Sequence, residues 1–415
     1  MERFDAVVIG GGAAGLGSAY RMAENGMNVL LIERGENVGE KSVYGGRIYS
    51  WVFEKYVKGF QDAPVERWVK KERLTFLDER ESVSIEYSSD ETCSFVAILT
   101  KFNRWLAEKV EDAGGLVVSG IKVEDVRLNP LRVVADGEEI GCDAVVIAEG
   151  VNPMLAMKLG IRSDWKPEEV AVGVKEVFKL SESEVNSRFD VESDEGVANL
   201  FVGYPVFTHG GGFIYTNRDT ISVGMVVRVD SAMKNKIEVY DLAEKFRAHR
   251  DVAGFLKGGS MIEYSAHLVP EAGIKGVPDA LHKDNVMIVG DTAGFVLNRG
   301  FTIRGVDFAF YSGVLAADSI KEAMDGGDAG LAGQIYERKV RDSAIIGELE
   351  KFRKALDVLE NTRFFNDYTR MMVEIMRGIF DVKEESNRLY DVVMEKSRGR
   401  KIRMALDFLS AFRGL

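Results

Sequence analysis

Val7-Val8-Ile9-Gly10-Gly11-Gly12-Ala13-Ala14-Gly15-Leu16 runs a hydrophobic strand into a glycine turn and on into a helix. Asn28-Val29-Leu30-Leu31-Ile32-Glu33 follows as a second strand ending in a carboxylate. Gly10 lets the chain turn tightly, Gly12 lets backbone N–H groups approach a pyrophosphate, and Gly15 lets the helix pack closely on the sheet. The helix amino terminus, opened by Ala13 and Ala14, then faces the phosphates. A glycine-rich turn alone is weak, so its surroundings carry the reading: strand 5–9, helix 13–25 stopped by Gly26, strand 28–32. Glu33 stands eighteen residues beyond Gly15, close to the spacing from which a carboxylate accepts ribose hydroxyls and repels a 2′-phosphate. The chain therefore opens as a dinucleotide-binding βαβ unit.

With 415 residues, the chain exceeds one ordinary core and predicts two or three packed domains. A net charge of -12 argues against nucleic acid as a partner, because counterion release needs a basic surface. Cys93 and Cys142 are the 2 cysteines and form no CxxC or CxxxxC pair, which fits a reducing compartment without a disulfide framework. No hydrophobic run approaches the roughly 20 residues of a membrane span, and no secretory leader is expected.

Residues 39–49, Gly-Glu-Lys-Ser-Val-Tyr-Gly-Gly-Arg-Ile-Tyr, read as a glycine-interrupted loop. Strands are predicted at 75–78, 82–87 and 93–99, then an amphipathic helix over 101–113 stopped by Gly114-Gly115. The run Asp143 to Gly150 is another hydrophobic strand ending in glycine, expected to rejoin the nucleotide sheet. Between 170 and 268 the pattern is β-rich with apolar–polar alternation, which predicts a second, antiparallel sheet. Asn285 to Gly294 returns to the strand-then-glycine style, a long helix is predicted over 304–323, and everything beyond Gly333 is helical in character.

Gly290-Asp291 is the second informative site. The pair resembles the Gly-Asp of glutathione-reductase-like flavoproteins, and that resemblance implies a place near the flavin's ribityl chain, where the carboxylate accepts from sugar-alcohol hydroxyls; with the N-terminal unit this makes FAD the expected cofactor, ahead of NAD. The segment Asn298-Arg299-Gly300-Phe301-Thr302-Ile303-Arg304-Gly305-Val306-Asp307 would set backbone N–H groups and a helix amino terminus beside the flavin pyrimidine, an end that favours negative charge. A second GxGxxG is absent, and so is a cysteine pair, which removes a separate nicotinamide domain and disulfide chemistry.

At these segments the chain resembles the electron-transfer flavoprotein:quinone oxidoreductases, in particular their short FixC branch within the geranylgeranyl-reductase-like superfamily. The resemblance is carried by Ile32-Glu33-Arg34-Gly35, Gly45-Gly46-Arg47-Ile48-Tyr49, Val172 to Val177, Gly210-Gly211-Gly212-Phe213-Ile214-Tyr215-Thr216-Asn217, Tyr264 to Glu271 and Gly290 to Asp307, and it weakens in the helical tail. It implies a glutathione-reductase-like FAD-binding Rossmann domain in discontinuous segments (1–75, 101–165, 271–330). An antiparallel quinone or substrate domain (76–100, 166–270) and a helical C-terminal region (331–415) complete that α/β fold.

The cofactor residues it implies are Gly10, Gly12, Ala13, Ala14, Gly15, Glu33, Arg34, Gly45, Gly46, Arg47, Gly150, Gly290, Asp291, Gly300, Phe301, Thr302 and Ile303. Quinone contacts are expected at a loop of Gly210, Gly211 and Phe213, with His209 and His267 as candidates to relay protons. The resemblance further implies electrons arriving from the α and β subunits of an electron-transfer flavoprotein and leaving to a membrane quinone, on a cytoplasmic protein peripheral to the inner face of the cell membrane. Two cysteines do not supply four cluster ligands, so any iron–sulfur centre belongs to a separate ferredoxin-like subunit. Relatives often carry an arginine where this chain has Leu99, which leaves phosphate neutralisation to Lys101 or to the glycine loop. Geranylgeranyl reduction is the alternative, against which the absence of a Tyr-x-Trp-x-Phe-Pro pattern speaks; a structural or docking subunit is another, and flavin hydroxylation lacks its Asp-Gly segment near Val172 to Val177.

The tail from Lys396 to Arg413 holds six basic residues and one acid, a net +5, with Ile402, Leu406, Leu409 and Phe412 at helical spacings. Such a helix suits an anionic membrane surface or a partner subunit.

Overall fold

Val7, Val8, Val145, Val146 and Met287 have no solvent exposure, as expected of short strands that are apolar on both faces. In the computed structural model, which describes residues 3–40, 45–382 and 384–415, they stack in one sheet. Its order is His282–Lys283, Val286–Ile288, Glu138–Ile147, Arg3–Ile9, Val29–Ile32, Leu116–Val118, and the neighbours from Val286–Ile288 to Leu116–Val118 run parallel. The helices Ala13–Glu24 and Val306–Asp325 cover it. They approach closely because Gly17 and Gly313 lie between them: a Cβ at Gly313 would stand 2.1 Å from the Ala14 carbonyl oxygen.

A nine-stranded sheet makes the second layer, in the order Ser260–Pro270, Val170–Lys179, Thr220–Arg228, Gly210–Thr216, Glu195–Gly203, Arg67–Leu77, Ser94–Ile98, Gly45–Tyr49, with Ser82–Ser88 beside Arg67–Leu77. Pairing is antiparallel except between Glu195–Gly203 and Arg67–Leu77. One face packs Val174, Phe201, Val223 and Met225 against the helices Glu182–Phe189 and Val239–Ala248. Beyond residue 331 the chain is helical: Ala332–Arg341, Ala344–Lys351, Ala355–Leu359, Asp367–Phe380, Leu389–Lys396 and Lys401–Gly414. No helix among the described residues is long and apolar enough to cross a membrane.

Three expectations are corrected. Residues 45–49 of the expected loop form the edge strand Gly45–Tyr49, held by its ladder to Ser94–Ile98; residues 41–44 lie outside the described residues. Gly45–Tyr49 and all but the last two residues of Arg67–Leu77 fall within 1–75, expected as nucleotide domain, yet both strands pair into the second sheet. Residues 210–213, expected as a loop, open the strand Gly210–Thr216: all four pair with Thr220–Arg228, and Gly212 and Phe213 pair with Glu195–Gly203 as well.

Candidate functional site: a dinucleotide cradle beside an aromatic sheet face

The turn after Arg3–Ile9 tolerates only glycine at two points. Gly10 has φ +109°, and a Cβ there would meet the Ala148 carbonyl oxygen at 2.3 Å; one at Gly15 would meet the Gly10 oxygen at 1.9 Å. A Cβ at Gly12, by contrast, would meet nothing within 4 Å, so the turn's outer side is open for a ligand. Gly12 caps the Ala13–Glu24 helix without a side-chain bond and its first turn holds no acid, leaving first-turn N–H groups free to meet an anion. Glu33 tightens the turn: its Oε2 accepts from Gly11 N at 2.7 Å and its Oε1 from Gly35 N at 2.6 Å. Arg34 beside it is exposed.

Gly290 closes on the same spot from 275 residues away. It has φ +61°, a Cβ there would lie 2.8 Å from the Ala14 Cβ, and its N–H donates to Ser312 Oγ at 2.9 Å. Thr292 Oγ1 donates to the Gly150 carbonyl oxygen at 2.9 Å, and Gly150, at φ +73°, is also open on its Cβ side. Asp291 is half-buried, desolvation pushes its carboxyl up to about 6, and among the described residues no group donates a hydrogen bond to that carboxyl. An unpaired carboxylate beside two open glycines fits the ribityl hydroxyls and pyrophosphate of FAD.

Residues 297–304 then form a small hairpin. Leu297–Asn298 pairs with Ile303–Arg304, Asn298 Oδ1 accepts from Gly300 N at 2.8 Å, and Arg299 Nε donates to Thr302 Oγ1 at 2.5 Å. Phe301 and Ile303 remain exposed. Asp307, buried in the first turn of Val306–Asp325, accepts from Arg304 Nε at 3.0 Å and from Trp51 Nε1 at 2.9 Å.

The face of the second sheet opposite the Glu182–Phe189 and Val239–Ala248 helices is composed by register. Ser265, Lys175, Gly224, Phe213 and Leu200 lie in one cross-strand row; Glu263, Val177, Ser222, Tyr215, Ala198 and Glu72 form the next. Glycine at 224 is required, because a Cβ there would lie 2.0 Å from the Phe213 ring. Phe213 stacks on Tyr215 at 5.0 Å, and the Lys175 ammonium lies 5.0 Å from the Phe213 centroid. Burial holds Lys175 well below the usual lysine range and pushes Tyr215 up to about 12. The sheet curls so that Arg47 and Tyr49 come near Tyr215: their charges, with that of Glu72, act on its phenol. Arg47 pairs with Glu72 and donates to Ser94 Oγ at 3.1 Å. Tyr49 carries Arg304 5.5 Å above its ring, which joins this face to the 297–304 hairpin.

The expected residues therefore divide. Gly10, Gly12, Ala13, Ala14, Gly15, Glu33, Gly150, Gly290 and Asp291 converge, with exposed Arg34 near enough for its charge to act on Glu149 beside Gly150, while Arg47, within the sheet, is committed to Glu72. Gly210 and Gly211 are packing glycines, their Cβ positions 2.1 Å from the Val226 oxygen and 2.5 Å from the Phe201 oxygen. Lys101 pairs with Glu66 at 3.2 Å rather than facing the turn. His209 is buried against Ser231 and Phe365, and burial lowers its imidazole to about 4. His267, cross-strand from Gly173, is likewise lowered to about 4 by burial and then by Lys175. Both are neutral at pH 7. Lys175, Tyr215, Tyr49 and Trp51 were not named as site residues from the sequence, although the first three lie in segments that carry the resemblance. The legible signal was Lys175 itself, whose position in an alternating strand assigns it to the face opposite Val174.

The fold and the glycine–carboxylate cradle define a flavoprotein oxidoreductase. Residues 4–164 match the pyridine nucleotide-disulphide oxidoreductase model and residues 170–269 the ETF-QO ubiquinone-binding model. The chain is 39% identical to Protein FixC of Escherichia coli K12, covering 91% of each chain, and 38% identical to that organism's probable electron transfer flavoprotein-quinone oxidoreductase YdiS, covering 93% and 92%. Protein FixC of Bradyrhizobium diazoefficiens is 34% identical with 99% of each chain covered. Among solved structures, a geranylgeranyl bacteriochlorophyll reductase-like protein from Thermoplasma acidophilum superposes with TM-score 0.74 at 18% identity, covering 98% of this chain and all of that one. The chain belongs to the FixC family of electron-transfer flavoprotein–quinone oxidoreductase-like proteins, and is an FAD-dependent oxidoreductase.

Proposed function

We propose that this protein takes electrons from an electron-transfer flavoprotein and delivers them to a membrane quinone. The observation that carries the reading is the position of the matched ubiquinone-binding residues: they build most of the sheet whose aromatic face, through Tyr49 and Arg304, is joined to the 297–304 hairpin that follows Gly290–Asp291 in the chain. FAD supplies the electron storage; the chain's own groups bind and orient. Gly10 to Gly15 with Glu33 receive the pyrophosphate and ribose, Asp291 the ribityl hydroxyls, and the hairpin bearing Gly300 to Ile303 the ring's edge. Phe213 and Tyr215 offer a flat aromatic wall for a quinone ring, and Lys175 offers an N–H donor to a carbonyl oxygen; this assigns contact to Phe213 rather than to a glycine loop. Neutral His209 and His267 fit local structure better than proton relay. We assign any iron–sulfur centre to a separate small subunit, since the 2 cysteines cannot supply four thiolate ligands.

The test is anaerobic and stepwise. Reduced electron-transfer flavoprotein should bleach the bound FAD, and a short-chain ubiquinone analogue should then restore its absorbance. A flavin inert to both overturns the reading in favour of a docking role. Lys175→Met should raise KM for the analogue while leaving the first step intact; an unchanged KM removes Lys175 from the site.

A further inference from the structure

The Lys401–Gly414 helix wears its apolar side outward. At 100° per residue, Ile402, Leu406, Leu409 and Phe412 share one sector of about 120°. They are 81%, 62%, 45% and 88% exposed. The opposite side is fastened to the protein. Asp407 accepts from Arg363 Nε and from the other guanidinium nitrogen at 2.7 Å each and from the Tyr368 hydroxyl, and a Cβ at Gly414 would meet Val358 Cγ2 at 2.7 Å. A bidentate pair on the inner side fixes which side faces out.

Charge selects the occupant. Arg398, Arg400, Lys401, Arg403 and Arg413 are exposed, and among the described residues none pairs with a carboxylate; the helix's one acid, Asp407, is turned inward. The whole chain carries -12, so this positive, apolar strip opposes the charge of the rest. A second copy pairing antiparallel would set Arg413 against Lys401 and Arg403, cation on cation. An anionic lipid surface meets both features, apolar residues entering among the acyl chains and cations among the headgroups. The helix also ends where such a surface is useful: Leu415 packs beside Gly300, a Cβ of which would lie 3.7 Å from it, so the strip runs to the hairpin with exposed Phe301 and Ile303.

We propose that the outward side of the Lys401–Gly414 helix lies in the headgroup layer of an anionic membrane and presents the hairpin mouth of the FAD site to the bilayer. The function in the second part rests on the quinone reading; binding itself does not. The experiment floats full-length, FAD-loaded protein with phosphatidylcholine vesicles, with and without phosphatidylglycerol. Phosphatidylglycerol vesicles should carry the protein, added salt should release it, and Leu406→Glu/Leu409→Glu should lower the bound fraction by about tenfold or more. The double variant should keep wild-type turnover of a water-soluble quinone analogue and lose turnover of quinone embedded in the vesicles. Flotation equal in wild type and variant, or no flotation, overturns the proposal. A fall in oligomer mass caused by the variant makes a second copy the occupant, and loss of electron-transfer flavoprotein binding makes that partner the occupant; either overturns it. Vesicle binding without quinone turnover would instead overturn the quinone reading alone.

Discussion

One carboxylate holds the glycine turn together: both oxygens of Glu33 are committed to backbone N–H groups, at 2.7 and 2.6 Å. Glu33→Gln keeps the volume but turns one acceptor into a donor that faces an N–H. With each such charged hydrogen bond worth roughly 1.5–3 kcal/mol, FAD affinity should fall about tenfold to a hundredfold in a fluorescence titration. An unchanged Kd would mean that the turn holds its shape without the carboxylate. Glu271 makes a pH prediction. Burial raises its carboxyl to about 7, against hydrogen bonds from Asn298 at 3.2 and 3.4 Å. The folded state therefore binds the proton more tightly than the unfolded chain. Stability from this group is complete below the unfolded value of 4.5 and is lost as pH rises through about 7. Glu271→Gln should melt higher than wild type at pH 8, and the difference should shrink or reverse by pH 5.

Helix against helix, the contact between Ala13–Glu24 and Val306–Asp325 joins the two halves of the cradle, and it depends on glycines. A Cβ at Gly313 would sit 2.1 Å from the Ala14 oxygen and 2.7 Å from Ser18 N. Overpacking of this kind costs typically about 1–3 kcal/mol, so Gly313→Ala should lower Tm by several degrees and reduce bound FAD, since Gly290 moves with the long helix. Gly347→Ala is the control: it lies in Ala344–Lys351 with nothing within 4 Å of a new Cβ, and thermal melts should show it neutral or slightly stabilised. The strands Gly45–Tyr49 and Gly210–Thr216 teach the opposite lesson about glycine. Glycine clusters read as loops in sequence, yet both are ladder strands, because glycine answers equally to a positive φ and to a neighbour lying too close for a side chain.

Across the molecule, the proposed FAD cradle is assembled from residues near 10, 33, 150 and 290, so a cofactor bound there would cross-link distant segments. Ligand binding to the folded state alone stabilises by RT ln(1 + [L]/Kd), about 2.7 kcal/mol at a hundredfold excess over Kd. Protein stripped of FAD should therefore melt a few degrees lower and regain its Tm in proportion to the logarithm of added FAD. A Tm indifferent to FAD would place the cofactor outside these segments.

The nucleotide half was legible in the order of residues. Gly10, Gly15, Glu33 and Gly290-Asp291 each do local work set by backbone angles and strand ends, and local geometry is written in neighbouring residues. A dinucleotide site followed from them, and FAD and the oxidoreductase class from the family resemblance that they carry. The other half was not. Whether Lys175 faces water or Phe213, whether Gly211 is a loop or a packing contact, whether Arg47 meets a phosphate or Glu72, and which side of the last helix looks outward all depend on strand register and sheet curl between segments far apart in the chain. Register changes a side chain's whole environment without changing its sequence neighbours, and only the tertiary structure decides it.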